Sequence, residues 1–343
     1  MRISFYLLIA CLFAACSPVN YIGIQTYNPA NITFPKNVRK LLIVDNALPQ
    51  PSDVGYQYSL FGKMQDTCRA NADSASFFAC RSLGKSIVSV PYFRDVLLYD
   101  RGTRQDNQYL IDKKMSSDDV KALCEETGAD AVISFDRLLF KMEKTVVAFA
   151  DGYIAGMVDV KMNGVVRSYI PEREQPLATV YMNDSIYWME NAGDLNELAR
   201  YLPSPSDALR AAAEYLGTKA SPNFIPHWID ETRWYYKGIG TRWKEASAYA
   251  AAEKWDEAYQ RWMTIYEKSS SWKEKAKVAS NLALYYEMDT KLKEAFDWAS
   301  KSYALYEKNA GAENQYTKMQ KLYMDALSER LASDTKLNMQ IDR

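Results

Sequence analysis

A self-similar segment in the last third of the chain constrains the fold most. Ala258 in WDEAYQRW recurs as Ala295 in LKEAFDWA, 37 residues later, and Tyr249 and Tyr286 are separated by the same interval. A fixed period of this length is typical of stacked supersecondary units. Small residues let paired helices approach closely, and the aromatic residues fill the space between them. The pattern therefore predicts stacked helical hairpins.

This segment resembles tetratricopeptide repeats, whose period is about 34 residues, with three residues added around Ser269-Ser270-Ser271. Ala246 and Ala283 take the place of the small residue of the first helix, and the proline that usually ends a repeat is missing. A further helix over 315–332 is expected to cap the stack. The resemblance implies a repeat domain over 240–335. A plain helical bundle with coincidental alanines is the alternative.

The first half of the chain has a different pattern, in which strand and helix signals are mixed. The apolar run Leu41–Asp45 predicts a buried strand, and Ser116 followed by Asp119 predicts a capping box that starts a helix. Gly128 is expected to end that helix, before a strand at Ala129–Phe135. We expect an α+β (or α/β) N-terminal domain with a mixed sheet, followed by all-α tetratricopeptide-like helical repeats.

Later segments of this half alternate apolar and polar residues and predict a strand meander. Asn163-Gly164 suits a two-residue hairpin turn, or equally a bulge within one long strand. The helix–Gly128-Ala129-Asp130–strand arrangement resembles the small α/β domain of curli-secretion and penicillin-binding-protein-activator lipoproteins, over about 37–190. We assign the α/β domain to 37–220, after a tether at 16–36 and before a linker at 221–239.

The chain starts with a secretory-signal pattern. One basic residue, Arg2, precedes 13 uncharged residues and Cys16. This layout is typical of an export signal, and the run is shorter than the ~20 residues that span a membrane. Phe13-Ala14-Ala15-Cys16 resembles the lipobox of bacterial lipoproteins, which implies a signal peptide over 1–15, cleavage before Cys16, and lipidation of Cys16 with diacylglycerol and palmitate. The alternative is an ordinary signal peptide with a chance cysteine.

The residue after Cys16 is Ser17. By resemblance to the enterobacterial sorting rule, a residue other than aspartate implies the outer membrane, and we expect a periplasm-facing chain. The whole arrangement resembles uncharacterised outer-membrane lipoproteins of Gram-negative gut-type bacteria. That family has no established activity, so the resemblance implies an architecture and a location but no catalytic residues.

The cysteines leave one pairing open. Cys68 and Cys80 lie 12 residues apart, and an oxidising periplasm permits a disulfide between them. In the alternative, both are reduced and separate. Cys124 falls on a helical pattern and is expected to be a buried free thiol. With His227 as the one histidine, no Cys/His spacing fits a zinc site. We predict no metal.

Few residues suggest chemistry. The formal charge is −1, and no basic stripe indicates a nucleic-acid partner. There is no Gly-x-Ser-x-Gly elbow and no phosphate-binding glycine loop. The acid pairs Asp118/Asp119 and Glu125/Glu126 fit the exposed face of one helix, and His227 lies between prolines and aromatics. We therefore expect no cofactor and no enzyme.

An aromatic cluster is the best binding candidate. Its members are Trp228, Trp234, Tyr235, Tyr236 and Trp243. Aromatic side chains serve binding surfaces and packed cores equally well, so a core between elements is the alternative. Three functions follow: a scaffold that binds an unknown envelope protein through the repeats, a carbohydrate- or peptidoglycan-binding lipoprotein, or a hydrolase with an unrecognised site.

Overall fold

The computed structural model describes residues 19–65 and 69–342, which form two compact units. The α/β unit is residues 30–226, and the helical unit is residues 19–29 with 227–342. Cys16 and Cys68 lie outside the described residues. The strands are β1 (Val19–Asn28), β2 (Lys40–Asp45), β3 (Tyr56–Leu60), β4 (Lys63–Gln65), β5 (Asp95–Leu98), β6 (Ala131–Ala148), β7 (Ile154–Tyr169), β8 (Ala178–Ala192) and β9 (His227–Tyr236). The helices are α1 (Ala75–Val88), α2 (Ser117–Thr127), α3 (Leu195–Tyr201), α4 (Pro205–Ala220), α5 (Thr241–Ala251), α6 (Trp255–Lys268), α7 (Trp272–Met288), α8 (Leu292–Ala310) and α9 (Gln315–Ile341).

The predicted fold class is confirmed: a mixed sheet with helices comes first, and a run of helices follows. The sheet of the α/β unit joins β2 to β8, with β2 parallel to β5 and to the start of β6. The end of β6 pairs with β3 in parallel. β6, β7 and β8 form a long antiparallel meander. β8 therefore ends the sheet on one side.

Local signals placed helix α2 correctly. The Ser116 hydroxyl accepts from the Asp119 amide and the Asp119 carboxylate bonds back to the Ser116 amide, which is the predicted capping box. Gly128 follows the helix in the left-handed conformation, φ 66°. Asp130 joins this turn to β2, because its carboxylate accepts from the amides of Arg39 and Lys40 at the start of that strand.

The main core of this unit lies between one face of the sheet and helices α1, α3 and α4. Helices α1 and α4 touch at Gly217, where a Cβ would overlap the backbone of Ala79. On the opposite face, α2 packs over β2 and the start of β6, with Leu42, Val132 and Leu123 in contact.

The chain does not turn at Asn163-Gly164. β7 runs through both residues without a break, so the hairpin alternative was wrong and one long strand is formed. Gly164 instead lets β7 and α4 approach each other closely, since a Cβ there would lie 2.8 Å from Cδ2 of Leu216. The bulge of this meander is in β6, where the register shifts between Phe135 and Arg137.

In the helical unit, β1 and β9 form an antiparallel ribbon with Val19 opposite Tyr236 and Asn28 opposite His227. This differs from the tether predicted at 16–36 and the linker predicted at 221–239, because strand pairing between segments some 200 residues apart leaves no local signal. The α/β unit is thus an insertion between the two strands of the ribbon. Helices α5 to α9 follow, and each contacts the next in order from α5 to α9.

Candidate interaction surface

The five predicted aromatic residues do not form one open surface. Tyr235, Tyr236 and Trp243 are 2%, 0% and 3% exposed and belong to the core of the helical unit. Trp234 is half-buried and its ring packs on Tyr323. Trp228 is exposed, beside Tyr27 at a ring distance of 4.9 Å. For the three buried residues, the structure matches the alternative of a core between elements.

Strand β9 of the ribbon is bonded to α7 and α9. The Asn281 amide on α7 pairs with the backbone of Tyr236: its oxygen accepts from the Tyr236 amide at 2.6 Å, and its nitrogen donates to the Tyr236 carbonyl at 2.9 Å. The Tyr236 hydroxyl accepts from Gln320 on α9. Strand β9 therefore packs on this face of the helices, and the buried residues Tyr235, Tyr236 and Trp243 are not exposed to a partner.

A buried ion cluster fixes the ribbon to the helices. Glu287 of α7 is fully buried and accepts two bonds from the Arg233 guanidinium of β9, each 2.9 Å long. Tyr323 donates to the same carboxylate at 2.8 Å, and Arg330 bonds to it from α9. Burial on its own lowers the pKa of Arg233, but the bonds to Glu287 outweigh burial and raise it. The cluster acts as a structural clamp.

In the α/β unit, a cleft of about 540 Å³ opens where the carboxyl ends of β2 and β5 meet. Such edges are common ligand sites in sheets with parallel strands. Here several of the lining side chains are bonded to each other. Arg104 holds Asp106 through two bonds of 2.7 and 3.1 Å, which lowers the pKa of Asp106 to about 2. Tyr99 donates to Glu126.

Beneath this cleft lies a buried carboxylate that the sequence analysis missed. Asp136 is fully buried at the β6 bulge and accepts from Arg167 at 2.6 Å, Tyr169 at 3.0 Å, Ser134 at 2.5 Å and Asn46 at 2.9 Å. A bulge turns one side chain out of the strand's alternation, and here it turns Asp136 into the unit. The sequence signal was an aspartate directly after the apolar run Ala131–Phe135.

The residues considered for chemistry belong to different elements of the chain. Asp118, Asp119, Glu125 and Glu126 are all exposed on α2, as expected for a solvated helix face. His227 starts β9 opposite Asn28, in the helical unit. Cys80 is fully buried with its sulfur 3.6 Å from the Val44 carbonyl oxygen, and burial raises the pKa of its thiol. Its pairing with Cys68 stays a prediction, since Cys68 is outside the described residues.

Cys124 is a buried free thiol, as predicted. Burial raises its pKa to about 11. Among residues 19–65 and 69–342, no three His, Cys, Asp or Glu side chains are grouped so that they could hold a metal ion. No helix in those same ranges is long and apolar enough to cross a membrane.

An exposed surface of the α/β unit follows its last strand. β8 pairs with β7 along one side, and its other side is an edge of the described sheet. On the face opposite helices α3 and α4, Tyr181, Tyr187 and Met189 are 68%, 68% and 63% exposed. Natural edge strands are usually short, bulged, or interrupted by lysine or proline. β8 has 15 residues, a regular register with β7, and neither lysine nor proline.

The sequence of β8 is also partly symmetric about Asp184. Over residues 180–188, residues at equal distances on either side are of similar polarity, whereas Thr179 and Met189, the next pair, differ. The pairs are Asn183 with Ser185, Met182 with Ile186, Tyr181 with Tyr187, and Val180 with Trp188. Asp184 itself bonds to Lys219 and to the Tyr215 hydroxyl of α4, and the Lys219 bond lowers its pKa. The strand is thus close to self-complementary in antiparallel alignment.

Comparison with known proteins adds two sequence profiles and a weak structural similarity. The profile described as "Domain of unknown function (DUF8603)" matches residues 38–236, more than half of the chain, and "Domain of unknown function (DUF6340)" matches residues 244–329. No curated relative matches the sequence. Among solved structures, the PelC dodecamer from Paraburkholderia phytofirmans is similar at 11% identity and a TM-score of 0.24, over 59% of this chain and 97% of that chain. A similarity this weak does not extend to function.

Proposed function

The chain belongs to the family described as domain of unknown function DUF8603, and, because that description names no activity, we propose its function from the geometry. We propose that it is a lipid-anchored scaffold of the cell envelope that acts by protein association. Its α/β unit pairs with a second copy through β8. The observation that carries this proposal is the long, open and self-complementary edge of the sheet.

An open edge strand is a binding element because it presents a row of backbone donors and acceptors. A second strand satisfies them and extends the sheet, while exposed side chains on alternate positions select the partner. On β8 those side chains are Tyr181, Tyr187 and Met189. Aromatic residues bury much area at little entropic cost. The edge therefore combines a backbone template with apolar contacts.

The occupant that best fits this edge is another β8. An isologous pair has each residue i facing j and each j facing i. With Asp184 on the twofold axis, Tyr181 of each copy faces Tyr187 of the other, and Met182 faces Ile186. The two Asp184 carboxylates do not meet as free charges, because each is bonded to its own Lys219. Pairing would join two sheets into one.

The test measures the dimer dissociation constant of the chain by sedimentation equilibrium. Cross-strand aromatic pairs contribute roughly 0.2–1 kcal/mol each, and two such pairs are replaced by facing lysines in Tyr181→Lys/Tyr187→Lys. We expect the dimer dissociation constant of this variant to rise at least about tenfold, which corresponds to ~1.4 kcal/mol. Tyr21→Lys is the matched control, since Tyr21 is 64% exposed on β1 of the other unit.

The control should dimerise like the unaltered chain. In the variant Tyr181→Cys/Tyr187→Cys, position 181 of one copy faces position 187 of the other. The introduced thiols should therefore form an intermolecular disulfide under oxidation. A monomer at the highest concentrations reached, or a dimer that the lysine variant leaves unchanged, contradicts the proposal.

The anchor and the repeats complete the proposed scaffold. Lipidation at Cys16 is the lipobox expectation, and two or three acyl chains give stable anchoring. The tetratricopeptide-like assignment is supported by Ala246, Ala258, Ala283 and Ala295, all of which are fully buried between helices. Because β9 covers part of the helices, we assign partner binding to the α/β unit and a supporting role to the repeats.

A glycan-binding function is the second candidate, favoured by one observation. Trp228 is 64% exposed and packs beside Tyr27, so two rings lie together at the surface of the ribbon. Aromatic faces of this kind can stack on sugar rings. If this function holds, Trp228→Ala should lower cosedimentation with purified peptidoglycan at least several-fold, while Trp272→Ala, a less exposed tryptophan on α7, should not. Equal binding by all three chains removes this candidate.

A further inference from the structure

The end of the ribbon that lies nearest Cys16 has a distinct surface. Val19, the first described residue, follows Cys16 by only three positions and pairs with Tyr236. Three residues span at most about 10 Å. The loop 237–240 leaves the same ribbon end directly after Tyr236. If Cys16 is held in a membrane, this end of the helical unit lies next to the lipid headgroups.

The loop at this end carries an apolar side chain that is almost fully exposed. Ile239 lies in Lys237-Gly238-Ile239-Gly240 and is 99% exposed, the largest exposure of any large apolar residue in the described chain. Gly238 packs against the Trp243 ring, which leaves no room for a Cβ, and Gly240 has a φ of +103°. The two glycines thus shape a short loop with Ile239 at its tip.

Basic residues surround this tip. Lys237 is in the loop, and Arg242 and Lys244 are exposed in the first turn of α5. The first turns of α7 lie at the same end, because Glu274 accepts from the Trp243 indole at 2.7 Å and Lys277 lies 5.8 Å from the Tyr236 ring centre. Burial, together with the neighbouring Lys273, lowers the pKa of Lys277. Cations are therefore crowded here.

The acids in the same turns are already bonded, and the far end of the unit carries acids and lysines together, with Glu231 paired to Arg233. Glu245 pairs with Arg261, and Glu274 accepts from Trp243. Towards the other end of the ribbon and of α5, acids are frequent. They are Asp230, Glu231, Glu253, Asp256 and Glu257. The unit is thus basic at the end that adjoins Cys16, although the whole chain has a charge of −1.

We propose that this basic end, formed by residues 237–244 and the first turns of α7, docks on the anionic phospholipid headgroups of the membrane that holds Cys16. Ile239 enters the boundary between headgroups and acyl chains, and the lysines and arginine contact phosphates. This proposal rests on the lipid anchor of the proposed function and adds an orientation to it. The ribbon then leads away from the membrane towards the insertion point of the α/β unit.

Weak contacts suffice for such docking. Each Lys or Arg near an anionic surface adds attraction that falls off within a Debye length, and one isoleucine adds a small apolar term. An anchor three residues away supplies a high effective concentration, so a surface that binds weakly by itself stays engaged when tethered. The docking fixes the orientation of the unit, which acyl chains on a single cysteine do not.

The test separates docking from anchoring. The exported chain, residues 16–343 with Cys16→Ser, carries no acyl group and is floated with vesicles of 30% phosphatidylglycerol in phosphatidylcholine at low salt. We expect binding that falls steeply as salt rises and is absent on pure phosphatidylcholine. Arg242→Glu/Lys244→Glu and Ile239→Ser should each lower the partition coefficient at least several-fold. The matched controls are Lys254→Glu/Lys293→Glu, with the same change of charge at the far turns, and Ile229→Ser.

The controls should bind like the parent chain. Absence of vesicle binding at low salt, or equal binding by the basic-end variants and the controls, overturns the docking proposal. The anchor is measured independently, as palmitate incorporation into the full-length chain and its loss in Cys16→Ser. Incorporation without vesicle binding by the unacylated chain would leave the anchor in place and remove the docking surface. Vesicle binding without palmitate incorporation would leave the docking surface in place and remove the anchor.

Discussion

Glu287→Gln is expected to lower the free energy of unfolding of the helical unit by about 3–5 kcal/mol, the usual effect of removing one partner from a buried ion pair. The amide keeps the size of the side chain but removes its charge. Arg233 then keeps only its ion pair with Glu231, Arg330 loses its bond to the carboxylate, and the Tyr323 hydroxyl loses a charged acceptor. Because the clamp joins β9 to α7 and α9, the ribbon should loosen first.

Urea unfolding followed by tryptophan fluorescence measures this loss, since most tryptophans lie in the helical unit. Glu257→Gln is the control, because Glu257 is exposed on α6 and such surface changes usually stay within about 0.5 kcal/mol. Amide exchange should show β1 and β9 opening before the helices. A loss under about 1 kcal/mol would mean that water reaches the cluster and that the ribbon is held by apolar contacts instead.

A cluster without charges separates the contribution of its hydrogen bonds from the cost of burying its charges. In Glu287→Leu/Arg233→Met/Arg330→Met no buried charge remains, and replacing a whole buried ion cluster with apolar residues is often neutral or stabilising. We expect this variant to regain most of the stability that Glu287→Gln loses. If it stays as unstable as the single variant, the clamp contributes more through its directed hydrogen bonds than its charges cost to bury.

Local patterns in the sequence were sufficient for α2 and both of its ends, whereas the helix predicted over 315–332 starts at Gln315 but continues to Ile341. The alanines spaced 37 residues apart are buried between helices, and Ser116, Asp119 and Gly128 bound α2 as their chemistry dictates. These signals depend on neighbours within a few residues. The fold class followed from them, because periodicity changes where the sheet ends and the helices begin.

Long-range pairing was not visible in the sequence. β1 alternates exposed and half-buried residues, with glycine and asparagine among them, and its partner lies some 200 positions later. Tyr235 packs on Trp255 and Trp262 of α6, and the Tyr236 backbone bonds to Asn281 of α7, so β9 is held by helices that lie far from β1 in the sequence. The same aromatic residues that suggested a binding surface are what holds the ribbon to the helices.

The self-complementary edge of β8 could have been found from sequence, as a match of residue kinds about Asp184. What could not be found is that β8 is an edge, since that depends on the order of seven strands. Likewise the exposure of Ile239 depends on the ribbon, which places Gly238 against Trp243. Both candidate surfaces thus combine a local pattern with a position that only the fold supplies.

Asp136→Asn is expected to destabilise the α/β unit by about 3–5 kcal/mol. Asp136 is the one fully buried acid at the β6 bulge, and Arg167 is 4% exposed with a bond of 2.6 Å to it. Burial alone lowers the pKa of Arg167, while the bonds to Asp136 and Asp112 raise it. The neutral amide leaves this guanidinium with one anionic partner, Asp112. Urea unfolding of the variant measures the loss, and Asp53→Asn, an exposed change in the same unit, is the control.

Acid titration gives an independent measure of the same network. Burial tends to raise the pKa of Asp112, but its bonds to Arg167 outweigh burial and lower the pKa below 3.8. A carboxyl group whose pKa is lower in the folded state stabilises that state above its unfolded pKa, and this contribution is lost as the pH falls through the folded value. In Asp136→Asn, Arg167 depends on Asp112 alone. The variant should therefore unfold at a higher pH than the unaltered chain on acidification, and Asp53→Asn should not. If both variants unfold at the pH of the unaltered chain, Arg167 is held by Asp112 and the backbone, and Asp136 serves only to fill the bulge.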